Sequence, residues 1–401
     1  MAPEKFAASL LTLLFLAAGI GASIFRPENT QEYGHSPPRN VEVIANISTT
    51  FALKLFNEFS GENIVFSPLS IWIALAMAYE GAGGETAMDM QKVLGYPENR
   101  TVLHESIGYL LHNLCDNTQY TLKIANSIWP SIQYPINESY ISLIKKYYDA
   151  YEQNLNYEYA ELARKTINSW VENYTEGKIK EVIPEGGLSP FTILVLVNAI
   201  YLKAIWTQKF DPNRTYDDYF YTPGGKVKVP MMHTQGNFEY VEDNSFQVLK
   251  LPYRGNRLSM LIILPKSRST NIHLSVDKIR EWREKMKVHR VKVILPRFKI
   301  TSHFNLKKVL QRLGLRNAFT KDVNFQGIGK GVYINNVFHK AYIRVGENGT
   351  EAAAATAVGV GATAYLPYEY EFRADHPFVF LIQDDVTGAI LFMGEVADPS
   401  S

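Results

Sequence analysis

The sequence predicts an α+β fold, with strands and helices mixed along one long chain. Three observations carry this expectation. Residues 192–204, TILVLVNAIYLKA, form a long, β-branched and almost charge-free run of the kind that lies inside a sheet. Residues 378–383 and 390–396 read as two short strands joined by Asp384-Asp385-Val386-Thr387-Gly388, a hairpin connection. Helical stripes lie between such strands, but never in the strand–helix–strand rhythm that builds a doubly wound sheet.

Taken in order, residues 43–59 carry Ile44, Ile47, Phe51, Leu53, Leu55, Phe56 and Phe59 on a broad helical stripe. Residues 63–68, NIVFSP, read as a short buried strand stopped by proline. Ser67 or Ser70 can cap a helix over 71–79 that is apolar nearly all round, hence buried. The glycine run GAGGET at 81–86 follows a helix rather than a strand and lacks Gly-Lys-Ser/Thr. It predicts a turn into a helix over 86–94, not a phosphate loop. Gly327-Ile328-Gly329-Lys330-Gly331 is an equally weak phosphate signal. Helices are expected over 104–114, which holds no Lys or Arg, and over 141–148 and 163–174, with a strand over 123–129. Asn198, in the middle of the long strand, needs buried partners. Runs at 227–232, 238–241, 246–252, 258–264, 292–300 and 333–345 read as strands, and 274–286 and 306–313 as helices.

Length and composition allow a large core: 401 residues, 46% hydrophobic and 20% charged. A net charge of +1 gives no argument for a nucleic-acid partner. Residues 1–23 place Lys5 before an apolar run and end on Gly21, Ala22 and Ser23, the pattern of a secretory leader cleaved near Ala22 or Ser23. A retained anchor is the competing reading, but the run is at the short end of the roughly 17–25 residues that span a bilayer. Residues 24–42 are expected to be a flexible segment before one domain over 43–398. Acceptor tripeptides at Asn46, Asn99, Asn137, Asn173, Asn213 and Asn348, together with the leader, predict a secreted, extracellular glycoprotein. Cys115 is the lone cysteine and permits no internal disulfide, so stability must come from the core. No metal or cofactor set emerges.

Residues 347–372, ENGTEAAAATAVGVGATAYLPYEYEF, organise the rest of the chain. Four alanines suggest helix, but the Val358-Gly359-Val360-Gly361 that follows does not. Read with period 2, one face carries Thr350, Ala352, Ala354, Thr356, Val358 and Val360, and can be buried. The other carries Glu351, Ala353, Ala355, Ala357, Gly359 and Gly361 and is nearly smooth. Such a segment can lie exposed, yet can also enter a sheet whose space is tight. A Gly/Ala linker is the competing reading.

Five motifs then carry a family resemblance: NIVFSPLSIWIALAMAYEGAGGET at 63–86, INSWVENYTEGKIKEVI at 167–183, LVNAIYLKAIW at 196–206, VFHKAYIRVGENGTEAAAATAV at 337–358, and ADHPFVFLI with TGAILFMGEV across 374–396. Together they resemble the serpins over about residues 43–398. The resemblance implies three β-sheets, eight to nine helices and an exposed reactive-centre loop. It implies a monomer that is not an enzyme but traps a serine protease: the protease cleaves the loop, an acyl-enzyme forms, and the loop inserts into the central sheet.

By the same resemblance, Glu347, Gly349, Thr350, Glu351, Ala352, Ala353, Ala354, Ala355 and Thr356 form the hinge. Counting from Glu347 places the cleaved bond at Thr363–Ala364, which suits an elastase-like target. Counting back from Pro377 moves it to Leu366, and Tyr365 or Leu366 suits a chymotrypsin- or cathepsin G-like protease, although Pro367 disfavours cleavage after Leu366. Ser67, Ser70, Asn198 and His339 match the family's shutter, a polar cluster beneath the central sheet, and Glu347 is matched with Arg297. Asn348 departs from the pattern by placing a glycosylation acceptor inside the hinge. The basic run Lys278, Arg280, Arg283, Lys285, Lys287, Arg290 and Lys292 could hold a sulfated polysaccharide, but Glu281 and Glu284 interrupt it and a solvated helix face is the better reading. A non-inhibitory member acting as carrier, storage protein or chaperone is the alternative function. It would favour bulky or charged hinge residues, where this chain is smooth. A hydrolase is disfavoured because no Gly-X-Ser-X-Gly or placed triad is present.

Overall fold

The computed structural model describes residues 38–59, 61–268, 272–351 and 367–400. Every described residue belongs to one compact unit. The leader expected at 1–23 lies outside the described residues. So do Ala352, Ala353, Ala354, Ala355 and Thr356 and the expected cleavage positions Thr363, Ala364, Tyr365 and Leu366.

Helix α1, Arg39–Phe56, begins inside the segment expected to be flexible to residue 42, because Val41 is already a core residue one turn in. Strand β1, Ile64–Phe66, leads into α2, Pro68–Glu80. Ser67 caps α2 by accepting a hydrogen bond from the Ser70 N–H, and Pro68 occupies the first turn, where no N–H is needed. Helix α3, Gly84–Leu94, and helix α4, Arg100–Cys115, follow. The latter starts earlier than expected and so contains Arg100, whose guanidinium is committed to the Glu80 and Ala82 carbonyls at 2.6 and 2.5 Å. Next come β2, Tyr120–Pro130; α5, Glu138–Tyr148; β3, Tyr151–Glu152; α6, Ala160–Tyr174; and β4, Leu194–Ile205. The chain continues through β5, Tyr216–Thr222; β6, Gly225–Glu242; β7, Phe246–Pro252; β8, Leu258–Pro265; α7, Val276–Lys285; β9, Lys287–Pro296; and β10, Phe298–Asn305. It ends with α8, Lys307–Arg312; β11, Ile334–Gly346; β12, Gly349–Thr350; β13, Tyr370–Arg373; β14, Phe378–Asp384; and β15, Ile390–Val396.

The described strands form two hydrogen-bonded networks. One has the order β10-β11-β12-β4-β2-β3. The other has the order β1-β15-β14-β8-β7-β6-β9-β13, with β5 paired to β6. Strand β6 runs unbroken for 18 residues where two short strands were expected, because His233 to Asn237 continue the ladder against β9. Its length lets it pair with β5 at its start, with β7 at its end and with β9 between Met231 and Tyr240. Conversely, the single strand expected over 292–300 is two, because the chain turns at Arg297 from β9 into β10.

The two faces of the six-stranded sheet differ. One face, with Leu122, Leu196, Ile200, Leu202, Ile343 and Val345, joins the main core with α1 and α2. The other is covered by α6 and the segment after it: Ile167, Val171, Ile179, Val182 and Ile183 pack on Val195, Val197, Ala199 and Phe338. The sequence pattern of β4, apolar on both faces, follows from this double burial. Among the described residues, no helix is long and apolar enough to cross a membrane.

The two glycine runs that mimic phosphate loops are packed against each other. Gly83 N–H donates to the Asn324 carbonyl at 2.9 Å, and Gly327 N–H donates to the Gly81 carbonyl at 3.0 Å. A Cβ on Gly327 would lie 2.8 Å from the Gly81 Cα, so glycine is required by close backbone approach, not by a ligand. We expect Gly327→Ala to destabilise the fold by about 1–3 kcal/mol through overpacking. The check is a lowered urea midpoint with an unchanged slope; an unaltered midpoint would refute the contact.

Candidate functional site

The site is built where β4 and β11 part. These strands pair in parallel from Ile334↔Leu194 to Ala341↔Ile200. Above that point Gly349 and Thr350 lie between them as β12, opposite Gly346 and Val345 on one side and Ile205 and Ala204 on the other. Residues 342–344 of β11 and 201–203 of β4 fall between the end of the ladder and this wedge. The chain enters the wedge through Gly349 at φ 144°, a conformation that favours glycine, and a Cβ there would lie 2.0 Å from the Ala204 carbonyl oxygen. Thr350 is buried, and its hydroxyl lies 2.6 Å from that of Tyr253.

Contacts on both flanks fix the wedge. The Trp206 indole N–H donates to the Gly346 carbonyl at 3.0 Å, and its ring stacks on Tyr253 with centroids 4.3 Å apart. The Trp206 and Phe210 backbone N–H groups donate to the Asn348 and Glu347 carbonyls. The expected pairing of Glu347 with Arg297 is present: the guanidinium donates from Nε to Oε1 at 2.7 Å and also through Nη2, and the Thr215 hydroxyl donates to the same oxygen at 2.7 Å. Burial raises the Glu347 carboxyl, but Arg297 and Thr215 outweigh it and leave it below the usual range. Glu351 turns out of the sheet at φ 52° on the face that α6 covers. Its side chain is only 6% exposed and meets Lys178 Nζ at 2.9 Å. Trp206, Tyr253, Thr215 and Lys178 are contributors that sequence reasoning missed. Trp206 and Lys178 lie inside the motifs at 196–206 and 167–183, whereas nothing in the sequence ties Tyr253 or Thr215 to the hinge.

Five of the seven residues of the basic run have side-chain partners. Lys278 meets Asp243 and Glu281, Arg280 meets Asp277, Lys285 meets Glu281 and Lys292 meets Glu371, while Arg283 donates to the Gln383 side chain. Of the glycosylation candidates, Asn46, Asn99, Asn137, Asn173 and Asn213 are exposed, while Asn348 is half-buried at the wedge. Asn99 caps α4, and the Asn137 amide donates to the Gln326 and Gly327 carbonyls.

Ser67, Ser70, Asn198 and His339 are brought together under the β4–β11 ladder. His339 Nε2 accepts from the Ser67 N–H at 3.0 Å, which leaves the proton on Nδ1, donated to Asn198 Oδ1 at 2.8 Å. The Ser70 hydroxyl donates to the same oxygen. Asn198 Nδ2 donates to Asn126 Oδ1 at 2.8 Å, and Asn126 Nδ2 donates to the Tyr148 carbonyl. Asn126 was missed, although an asparagine inside an apolar strand is the same signal that singled out Asn198. Asn126, Asn198 and His339 are register partners across β2, β4 and β11, so the network bridges the seam. Burial lowers the His339 imidazole to about 3, so it is neutral in the fold. The unfolded chain binds that proton first, near pH 6.5. The group's contribution is therefore complete above about pH 6.5 and is lost as pH falls toward about 3. Relative to His339→Gln, which does not titrate, the wild type is expected to lose about 1.4 kcal/mol per pH unit between about pH 6 and 4. Urea unfolding of both proteins across that range measures it, and a pH-independent difference would contradict a neutral imidazole.

Comparison with known proteins agrees with this arrangement. Residues 46–399 match the family model described as Serpin (serine protease inhibitor). An uncharacterised serpin-like protein of Thermococcus kodakarensis is 42% identical over 369 residues, covering 89% of this chain and 86% of that one. Leukocyte elastase inhibitor A of Rattus norvegicus is 37% identical over 381 residues, covering 90% and 100%. A crystal structure of human thyroxine-binding globulin superposes with a TM-score of 0.83 at 29% identity, covering 90% of this chain and 99% of that one. With the parted strands, the wedge between them and the polar cluster beneath, these matches make the chain a member of the serpin family.

Proposed function

We propose that this serpin is a secreted suicide-substrate inhibitor of a serine protease, trapping the acyl-enzyme by inserting its cleaved loop between β4 and β11. The observation that carries the reading is the wedge: Gly349 and Thr350 already hold strand positions between β4 and β11. Strand addition of this kind is a known recognition mode, and serpin loop insertion is one of its named instances.

The driving force follows from magnitudes. Each inserted residue gains roughly 1 kcal/mol net per hydrogen bond and costs about 1–2 kcal/mol in backbone entropy. These contributions nearly cancel. The remainder must come from burying apolar side chains and from completing a seam that is unfilled before cleavage, which makes the uncleaved form a kinetically held state. In period 2, Ala352, Ala354, Thr356 and Val358 follow Thr350 onto the core face, while Ala353, Ala355 and Ala357 would pass beneath α6. Small side chains are what that covered face admits.

The target is elastase-like if the bond is Thr363–Ala364, and chymotrypsin- or cathepsin G-like if cleavage follows Tyr365 or Leu366. The leader and the glycosylation candidates support secretion as a glycoprotein. The second reading is a non-inhibitory carrier, favoured by the likeness to thyroxine-binding globulin. The smooth hinge favours inhibition.

Incubation with pancreatic elastase, chymotrypsin and cathepsin G is expected to give an SDS-stable complex with at least one of them, and the mass of the released C-terminal peptide identifies the bond. Simple digestion by all three would favour the carrier. Thr350→Arg places a charge at a buried strand position. It is expected to raise the inhibitor-to-protease stoichiometry by about tenfold or more while leaving loop cleavage intact. Unchanged stoichiometry would refute insertion past Thr350.

A further inference from the structure

The contacts of Glu351 point to a role for a residue far away in sequence. Glu351 is the last residue of the wedge that the structure describes, and two features turn it out of strand geometry although its N–H still continues the ladder with β11. Its N–H donates to the Arg344 carbonyl at 2.9 Å, in register with the β11–β12 pairing, but its φ is 52°, a left-handed conformation uncommon for a non-glycine residue, which turns the chain away from the strand. Its carboxylate, nearly buried, accepts from Lys178 Nζ at 2.9 Å. Lys178 lies in the segment that follows α6, and its ammonium also lies 6.0 Å from the Tyr201 ring centroid. Tyr342, on β11, stands beside the same carboxylate. Tyr201 and Tyr342 belong to the stretch where β4 and β11 have no mutual pairing, so Glu351 and Lys178 sit over the next position that an entering strand must take.

We propose that Lys178 is a positioning residue: its ion pair with Glu351 latches the loop after Thr350 and sets the rate at which the cleaved loop enters the sheet. This rests on the insertion reading above. To advance by one residue, Glu351 must leave its left-handed conformation for an extended one. The turn that presents its carboxylate to Lys178 is lost in that change, so the pair is broken before the ladder extends past the Glu351–Arg344 bond. Removing Lys178 takes a favourable contact from the latched state and leaves a nearly buried carboxylate without its cation. Both effects raise the latched state and lower the barrier to leaving it. A slow latch gives the protease time to complete deacylation, so the same contact shifts the balance between trapping and turnover.

The test uses the full chain nicked in its loop by chymotrypsin or elastase, with insertion followed by stopped-flow tryptophan fluorescence. Trp206, bonded to Gly346 and stacked on Tyr253, sits at the wedge and provides a local reporter. Lys178→Met and Glu351→Gln are each expected to insert roughly tenfold faster than wild type. The double variant should be no faster than either single one, and Lys178→Arg should restore the slow rate. Stoichiometry of inhibition should move toward one in the fast variants. Equal rates in all variants, or additive effects in the double variant, would overturn the latch while leaving insertion intact. Wild-type protein that shows no insertion after nicking would remove the insertion reading and the latch together. A loosened α6 segment acting in place of the ion pair would speed Lys178→Met and Lys178→Arg alike and leave Glu351→Gln slow, which also overturns the proposal.

Discussion

The structure turns on one constraint: β4 and β11 are neighbours that pair along only part of their length. Below Ala341 and Ile200 they share a parallel ladder, and above it two residues of another segment take the intervening place. A backbone N–H or carbonyl at such a seam must find a partner or remain unsatisfied, and an unsatisfied buried group costs about 1–3 kcal/mol. The wedge of Gly349 and Thr350 meets that demand at the top of the seam. Everything around it, from the Trp206–Tyr253 stack to the Arg297–Glu347 pair, keeps those two residues in place.

The polar cluster beneath has the opposite relation to the same seam. Asn126, Asn198 and His339 are aligned across three adjacent strands, and Asn198 Oδ1 accepts both from Ser70 on the helix and from His339 across the seam. A strand arriving between β4 and β11 would separate Asn198 from His339. The network is therefore satisfied in one arrangement and must exchange partners to reach another, which is how a hydrogen-bonded cluster can hold strands together without fixing them permanently. An apolar substitute would lack this property, because it could not register which strand lies beside it.

Much of this was legible in the sequence, for reasons that differ by residue. The long strand 192–204 was evident because both of its faces are buried, so its composition is extreme. Asn198 stood out against that background, and the same argument would have found Asn126. The cap at Ser67 followed from a local rule, since Ser67, Pro68 and Ser70 are near neighbours. The boundaries of β6 and of β9 and β10 were misjudged because ladder continuity depends on a partner strand, which periodicity cannot see. The hinge contacts of Lys178, a residue inside the motif at 167–183, and of Tyr253 were beyond reach. Each residue meets the hinge across a large sequence separation, and neither differs locally from an ordinary surface lysine or core tyrosine. Gly81 and Gly327 needed the fold as well, because each is packed against the backbone of the other's segment.

The order of residues along the hinge now has a physical logic. Glu347 is charged because it stays outside the seam and anchors to Arg297, so its charge need never be buried without a partner. Gly349 is required where the chain first squeezes against the Ala204 carbonyl. Thr350 is the first side chain turned into the core, and its single hydroxyl is met by Tyr253. Glu351 is the last charge, and it lies on the face under α6, where Lys178 can receive it. From Ala352 to Ala357 no charge recurs and no side chain is larger than threonine. A segment that served only as a linker would have no reason to place its anchors at one end and its smooth residues immediately after them. A segment held at its base and passed through a narrow gap would need that order, because any charge or bulk beyond Glu351 would have to cross the same gap without a partner on either side.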